Sequence, residues 1–264
     1  MSVRVAGHFG EWLQGRLGAT GPVVLLTVAC PALYVEAMRT GDGPVALSQS
    51  PVLVSPARAR DFLRRTRGRS ARYRLTTNMP PGGGAGASTA ALVALARAAQ
   101  GDPARLIEAC LAVEGASDPL MLSQPDRVLW ASREGRGVAD TPALPRAEII
   151  GGFWGAPTAT DPADTEFPDV SDLARRVKPG LSLPELAGIA SLSAQRSTDM
   201  RGPKADPTKA LARDLGALGH VRAHTGSARG LIFVPGTVPG GAEQALEKAG
   251  YQGILRFETG GKPR

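Results

Sequence analysis

Residues 80–91 read Pro80-Pro81-Gly82-Gly83-Gly84-Ala85-Gly86-Ala87-Ser88-Thr89-Ala90-Ala91. Four of the five residues from Gly82 to Gly86 are glycine, which adopts positive φ without steric cost and lets a ligand approach the backbone. Upstream, Tyr73–Thr77 alternates and predicts a strand. Downstream, Ser88–Gln100 is rich in Ala and Leu and predicts a helix that Gly101 stops. A glycine-rich turn between a strand and a helix suits an anion. The first N–H groups of a helix have no intrahelical partner, and the helix dipole adds positive potential there. The hydroxyls of Ser88 and Thr89 can bond phosphate or ligate Mg²⁺. The alternative is a mobile glycine loop followed by an ordinary Ser N-cap. No G-K-[ST] closes the loop, which excludes a Walker A sequence. Its place about 80 residues into the chain, with no acidic residue after a second strand, argues against a Rossmann fingerprint.

Outward from this loop, Val3–His8 and Val23–Met38 read as strands. Ser55–Thr66 reads as a short helix begun by Pro56 after a Ser cap, and Pro103–Val113 as another helix. Arg127–Ala131 and Glu148–Phe153 look like strands, and the Pro-, Thr- and Asp-rich segment Ala156–Asp169 reads as a domain boundary or an active-site flap. Helices are expected at Asp169–Val177, Leu183–Ala194, Asp206–Leu218 and Ala242–Ala249, and strands at His220–His224, Leu231–Val234 and Gly253–Glu258. This mixture predicts an α+β or α/β fold with two subdomains.

The 264 residues, 42% hydrophobic and 21% charged, suit a globular chain of one large or two small domains. Cys30 and Cys110 lie in apolar runs and form no metal-binding spacing. Met1–Gly10 has no apolar leader core, and Pro22–Leu33 is too short to span a bilayer. The expectation is a cytoplasmic protein with no membrane partner. The net charge of +7 comes mostly from arginine, with eight arginines between Arg58 and Arg74. Only Phe62 and Tyr73 interleave with them, which is poor for base stacking and argues against a nucleic-acid surface.

The loop resembles the phosphate loop of the GHMP kinases (Pro-x-x-x-Gly-Leu-x-Ser-Ser-Ala-Ala). It is more similar to that of their L-threonine kinase branch, associated with propanediol utilisation and cobalamin synthesis (Pro-x-Gly-Lys-Gly-Met-Ala-Ser-Ser-Thr-Ala). Pro80, Gly82, Gly84, Ser88, Thr89 and Ala90 carry the match, while Gly83 stands at the Lys position and Ala87 at that of the first Ser. Gly7-His8-Phe9-Gly10-Glu11-Trp12-Leu13-Gln14-Gly15 is similar to the branch signature Gly-x-x-Gly-Glu-Leu-x-Gln-Gly. Ala223-His224-Thr225-Gly226-Ser227-Ala228-Arg229-Gly230 is similar to its Ala-His-Ser-Gly-Thr-x-x-Gly segment. Ser193, Ala194, Pro203 and Lys204 match a further stretch. The resemblance implies a two-domain α+β kinase. Residues 1–145 would form an ATP-binding domain with a left-handed βαβ unit, and residues 146–264 a ferredoxin-like C-terminal domain.

By the same resemblance, ATP would lie on Pro81, Gly82, Gly83, Gly84, Ala85, Gly86, Ala87, Ser88, Thr89 and Ala90, with Mg²⁺ on Ser88 and Glu114. Ser88 and Asp118 are the candidate catalytic residues. Asp118 would accept the hydroxyl proton or hold an ammonium, with a turn Asp before Pro119 as the alternative. His8, Glu11, Gln14, His224, Gly226 and Ser227 are the candidate substrate contacts. Either histidine, however, could be structural, and Gly226–Ser227 a tight turn. Glu108 is a weaker metal candidate on a helix face. Arg196 and Arg201 could neutralise phosphate or lie on the surface. The implied activity is phosphorylation of a small hydroxy amino acid, L-threonine first, in a chain that can be an oligomer. The alternatives are another small alcohol such as homoserine, and a non-catalytic nucleotide-binding homologue.

Overall fold

The computed structural model describes residues 2–261. Its frame is a ten-stranded sheet in the order β10-β7-β9-β8-β1-β2-β4-β3, with β5 and β6 attached to β2. In chain order the strands are β1 (Ser2–Arg16), β2 (Val23–Asp42), β3 (Ala46–Gln49), β4 (Ala71–Thr77), β5 (Val128–Ala131), β6 (Arg136–Asp140), β7 (Ala147–Phe153), β8 (Gly219–Arg222), β9 (Ala228–Phe233) and β10 (Gln252–Thr259). The helices are α1 (Pro56–Arg65), α2 (Ala87–Ala98), α3 (Leu106–Glu114), α4 (Ser171–Ala174), α5 (Leu183–Arg201), α6 (Thr208–Asp214) and α7 (Ala242–Lys248). The architecture is mixed α+β, as expected.

β1 runs to Arg16, eight residues past the expected end of the strand at His8. Its pairing with β2 shifts register between Ala6 and Gly7, between His8 and Glu11, and between Glu11 and Leu13. Residues three apart on a regular strand face opposite sides. The irregularity between His8 and Glu11, with Gly10 at φ 71°, lets both side chains turn to the same side.

α2 is buried all round, from Thr89 to Ala96. Its small alanines bring it close to β1 and β2 and place its N-terminus at the centre of the molecule. α1 begins as expected: Ser55 accepts a hydrogen bond from the Arg58 N–H and Pro56 opens the helix.

α5 begins at a capping box, Ser182 with Glu185, and passes the expected end at Ala194 to reach Arg201. Its later turns are polar in sequence but bury Ser197 against the sheet side of the helix. The helix expected at Asp169–Val177 is a single turn, and that expected at Asp206–Leu218 spans only Thr208–Asp214. β3 and β6 are short and poor in buried residues, and no apolar pattern announces them.

The main core gathers Phe9, Trp12, Leu26, Leu92, Leu95, Leu186, Ile189 and Val221 from both halves of the chain, and a smaller one gathers Ile150, Leu231, Phe233, Leu246 and Tyr251. Among the described residues no helix is long and apolar enough to cross a membrane.

Candidate active site

The glycine-rich segment folds as a cradle. Gly82, Gly84 and Gly86 have φ of 72°, 75° and 74°, so every second residue sits in the left-handed region, a pattern that turns successive N–H groups to one side. The carbonyls are tied down on the other side. Gly82 O accepts from Thr158 N, Gly83 O from Ser227 N and Ala228 N, and Ala85 O from His8 N, at 2.8–3.1 Å. Gly86 is the N-cap of α2 and no side chain caps the helix. Among the described residues none accepts a hydrogen bond from the N–H groups of Gly84, Ala85, Gly86, Ala87, Ser88 or Thr89. A helix start accounts for four such donors, and the cradle extends the row to six.

Glycine is required here by contact as well as by φ. A Cβ on Gly84 would lie 2.1 Å from the Thr225 carbonyl oxygen and 2.4 Å from Ala223 Cβ.

The alternative of a Ser N-cap is not what the structure has, because Gly86 holds the N-cap position. Ser88 and Thr89 lie one and two residues inside the helix, and their hydroxyls hold acidic segments in place. Ser88 Oγ donates to the Glu114 carboxylate, and Thr89 Oγ1 accepts from Asp118 N at 3.3 Å. Arg58 Nη1 lies 3.7 Å from the same Glu114 carboxylate oxygen. Burial raises the Glu114 pKa, against the lowering effects of Ser88 and Arg58.

A cavity of about 360 Å³ opens over this cradle. His8, Glu11, Asp118, Glu114 and His224 line it together with residues 80–89, so the fold brings four separate segments to one place. His8 Nδ1 is 3.4 Å from Glu11 and its Nε2 is 3.6 Å from Asp118. Burial would lower the His8 pKa, but the two carboxylates dominate and raise it to about 9. Burial raises Glu11 to about 8. Asp118 is pulled below its ordinary value, because His8, Thr89 and Arg133 outweigh its burial. Asp118 is therefore the ionised carboxylate of the trio, while His8 and Glu11 both hold their protons to higher pH than usual. The Asp118 side chain is 23% exposed and that of Glu11 is 0%, so Asp118 is the carboxylate offered to the cavity.

His224 is neutral. Burial first, then the charges of Arg133, Arg201 and Arg222, keep its pKa well below the ordinary value. Its ring stacks on Phe167 at 4.0 Å, and Arg201 stacks at 4.1 Å from the ring centre of Phe167.

Other expected residues lie elsewhere. Gln14 does not line the cavity, and its amide donates to the Arg222 carbonyl at 3.0 Å. Gly226 and Ser227 support the loop from behind. The Ser227 N–H is spent on Gly83, and a Cβ on Gly226 would lie 2.5 Å from Gly84 N. Ala90 is buried within α2. Glu108 is outside the cavity. Arg196 forms a bidentate pair with Asp172, and Arg201 pairs with Asp164, so neither lines the cavity. Of the Ala156–Asp169 segment, Thr158, Ala159, Thr160 and Pro162 lie on the cavity wall.

Sequence reading missed Arg133, a half-buried cation on the wall whose charge acts on Asp118. One arginine after Ser132 carries no local signal. It also treated Arg58 only as part of a charged cluster.

The cradle fits a polyphosphate: the residues bearing these six N–H donors, four of them at the helix N-terminus, line the cavity together. The adjacent Ser88 and Glu114 oxygens fit Mg²⁺, which needs only one or two protein ligands when phosphate and water supply the rest. Among the described residues no group of three or more His, Cys, Asp or Glu could hold a metal without such help.

No family model and no curated protein matches the sequence. Solved structures do match it. A mevalonate kinase from methicillin-resistant Staphylococcus aureus MRSA252 aligns over 98% of this chain and 99% of its own, at 17% identity and TM-score 0.60. A putative homoserine kinase from Listeria monocytogenes aligns over 99% and 97%, at 14% identity and TM-score 0.60. A 4-(cytidine 5'-diphospho)-2C-methyl-D-erythritol kinase aligns over 99% and 100%, at 15% identity and TM-score 0.61. Over nearly its full length, this chain has the fold of the GHMP small-molecule kinases.

Proposed function

We propose that this chain is an ATP-dependent kinase that phosphorylates the hydroxyl of a small amino acid, with L-threonine as the leading substrate and O-phospho-L-threonine as the product, serving cobalamin side-chain synthesis. One observation carries the reading. Six residues whose N–H groups have no acceptor among the described residues, together with Asp118, line the same cavity of about 360 Å³. The phosphates of ATP lie on the N–H row. Mg²⁺, held through Ser88 and Glu114, neutralises charge on the transferring phosphates when bound. The substrate hydroxyl oxygen forms a bond to the γ-phosphorus as the bond to the bridging oxygen of the leaving ADP breaks. Its proton passes to Asp118.

Because His8 already carries a proton, it acts by fixing Asp118 and keeping it ionised. An amino acid brings its own two charges. Asp118 suits the ammonium or the hydroxyl, and Arg133 suits the carboxylate. The flap at residues 158–162 excludes water from the reacting groups. We place the boundary between the N-terminal ATP-binding domain, with its left-handed βαβ unit, and the ferredoxin-like C-terminal domain at residues 145 and 146.

Homoserine is the second substrate considered, supported by the likeness to the Listeria homoserine kinase fold. Gly83 at the Lys position of the loop and Ala87 at that of the first Ser support the non-catalytic homologue, while Arg58 and Arg133 line the cavity as cations. The test is kcat/KM for L-threonine, L-serine, L-homoserine and 1-amino-2-propanol with Mg²⁺-ATP. Preference for L-threonine supports the leading reading. Preference for homoserine moves the assignment, and ATP binding without turnover on any of them points to the non-catalytic homologue.

A further inference from the structure

A second cavity, of about 400 Å³, lies between the C-terminal end of α5, the 202–209 segment and strands β8 and β9, and it shares no lining residue with the first. Four cationic side chains line it, Lys204, Lys209, Arg222 and Arg229, against the two carboxylates of Asp199 and Asp206. The carboxylates are already engaged. Asp206 accepts from Arg229 Nε at 2.6 Å and from Thr208, and Asp199 accepts from the Gln195 amide at 2.6 Å.

Arg222 has no such partner. Only 5% exposed, it donates to neutral oxygens alone: Thr198 Oγ1 at 2.7 Å, the Gly202 carbonyl at 3.1 Å and the Ala223 carbonyl at 3.4 Å. Among the described residues no carboxylate lies within 4.0 Å of its guanidinium. Burial and the neighbouring Arg229 lower its pKa to about 9 against the opposing charge of Asp206, which Arg229 holds, and His220, pushed by burial to about 4, adds no charge at neutral pH. A buried charge with no counter-charge in direct contact is costly for a fold to carry. This one borders a cavity of metabolite size with two exposed lysines on its lining.

We propose that this cavity binds a small dianion, a phosphate monoester or a dicarboxylate, which supplies the counter-charge that Arg222 lacks. The two cavities have no lining residue in common, so the anion is held apart from the glycine-rich cradle.

Calorimetric titration at constant ionic strength tests this, with inorganic phosphate and malonate as separate probes. The proteins are the wild type, Arg222→Gln and the double variant Lys204→Ala/Lys209→Ala. The wild type is expected to bind at least one probe. Affinity should fall by ~10-fold or more in each variant, as expected for loss of a charge-assisted hydrogen bond or a close charge. Binding of phosphate alone assigns the phosphate ester, and binding of malonate alone the dicarboxylate. The lysines are exposed, so the double variant remains informative should Arg222→Gln fail to fold. Absence of binding by the wild type, or an unchanged isotherm in the double variant, overturns the proposal. Phosphate bound only on the glycine-rich cradle would give that unchanged isotherm.

Discussion

His8 Nε2 lies 3.6 Å from the Asp118 carboxylate, and this pair joins the N-terminal strand to the segment that follows α3. The ion pair is buried on the histidine side and open to the cavity on the aspartate side. It keeps Asp118 ionised where a substrate can meet it.

Replacing Asp118 with Asn preserves shape and removes the charge. The expected result is a fall in kcat of ~10²–10⁴-fold, the usual contribution of a positioned acid–base group, with the ATP half-saturation little changed. ADP release under steady-state conditions measures both. Full activity in Asp118→Asn would remove this residue from the mechanism.

The trio also predicts a pH dependence of stability. His8 is protonated up to about pH 9 in the folded chain but only to 6.5 at its ordinary value. Its stabilising contribution is therefore complete below about pH 6.5 and is lost as the pH rises through 9. Buried Glu11, protonated to about pH 8 against an ordinary 4.5, has the same sign, since the folded state again binds more protons than the unfolded one. The thermal midpoint should fall between pH 6.5 and 9, and His8→Gln should flatten that slope. Equal slopes in the two proteins would contradict this account of the site.

Ser88→Ala removes the hydroxyl that donates to Glu114. Loss of a hydrogen bond to a charged group costs about 1.5–3 kcal/mol, so half-saturation by Mg²⁺-ATP should rise ~10- to 100-fold. The far-ultraviolet circular dichroism spectrum should not change, because Ser88 does not cap the helix. A helical signal that falls with the affinity would instead assign Ser88 a structural role.

At Gly84 the φ of 75° and the nearby Thr225 carbonyl oppose any side chain. Gly84→Ala should lower stability by ~1–2 kcal/mol from the left-handed backbone alone, and more from the collision. Urea denaturation reads the loss. An unchanged midpoint would show that the loop does not hold this conformation.

The glycine-rich cradle was legible because a glycine run between a strand and an Ala-rich helix marks a turn whose backbone is left open at a helix start. α1 was legible for a similar reason, since Ser55 and Pro56 act through neighbours in sequence. β1 was harder to read. Gly7, Gly10 and Gly15 interrupt its alternation, and the bulge that sets Glu11 beside His8 depends on pairing with β2. The chain order of His8, Asp118 and His224 says nothing of their meeting, which the sheet order decides. Arg133 and Phe167 reach the site or support it through tertiary packing and leave no spacing to detect. The last two turns of α5 were missed because their polar residues, such as Ser197, are buried by the fold and not by their hydrophobicity.

The most direct test of the central claim is phosphorus NMR of the purified chain incubated with Mg²⁺-ATP and L-threonine. The account predicts a phosphomonoester resonance that grows with the ADP signals and requires both the amino acid and the protein. In protein shown to bind ATP, the absence of that resonance with L-threonine and with each of the other small alcohols would contradict it.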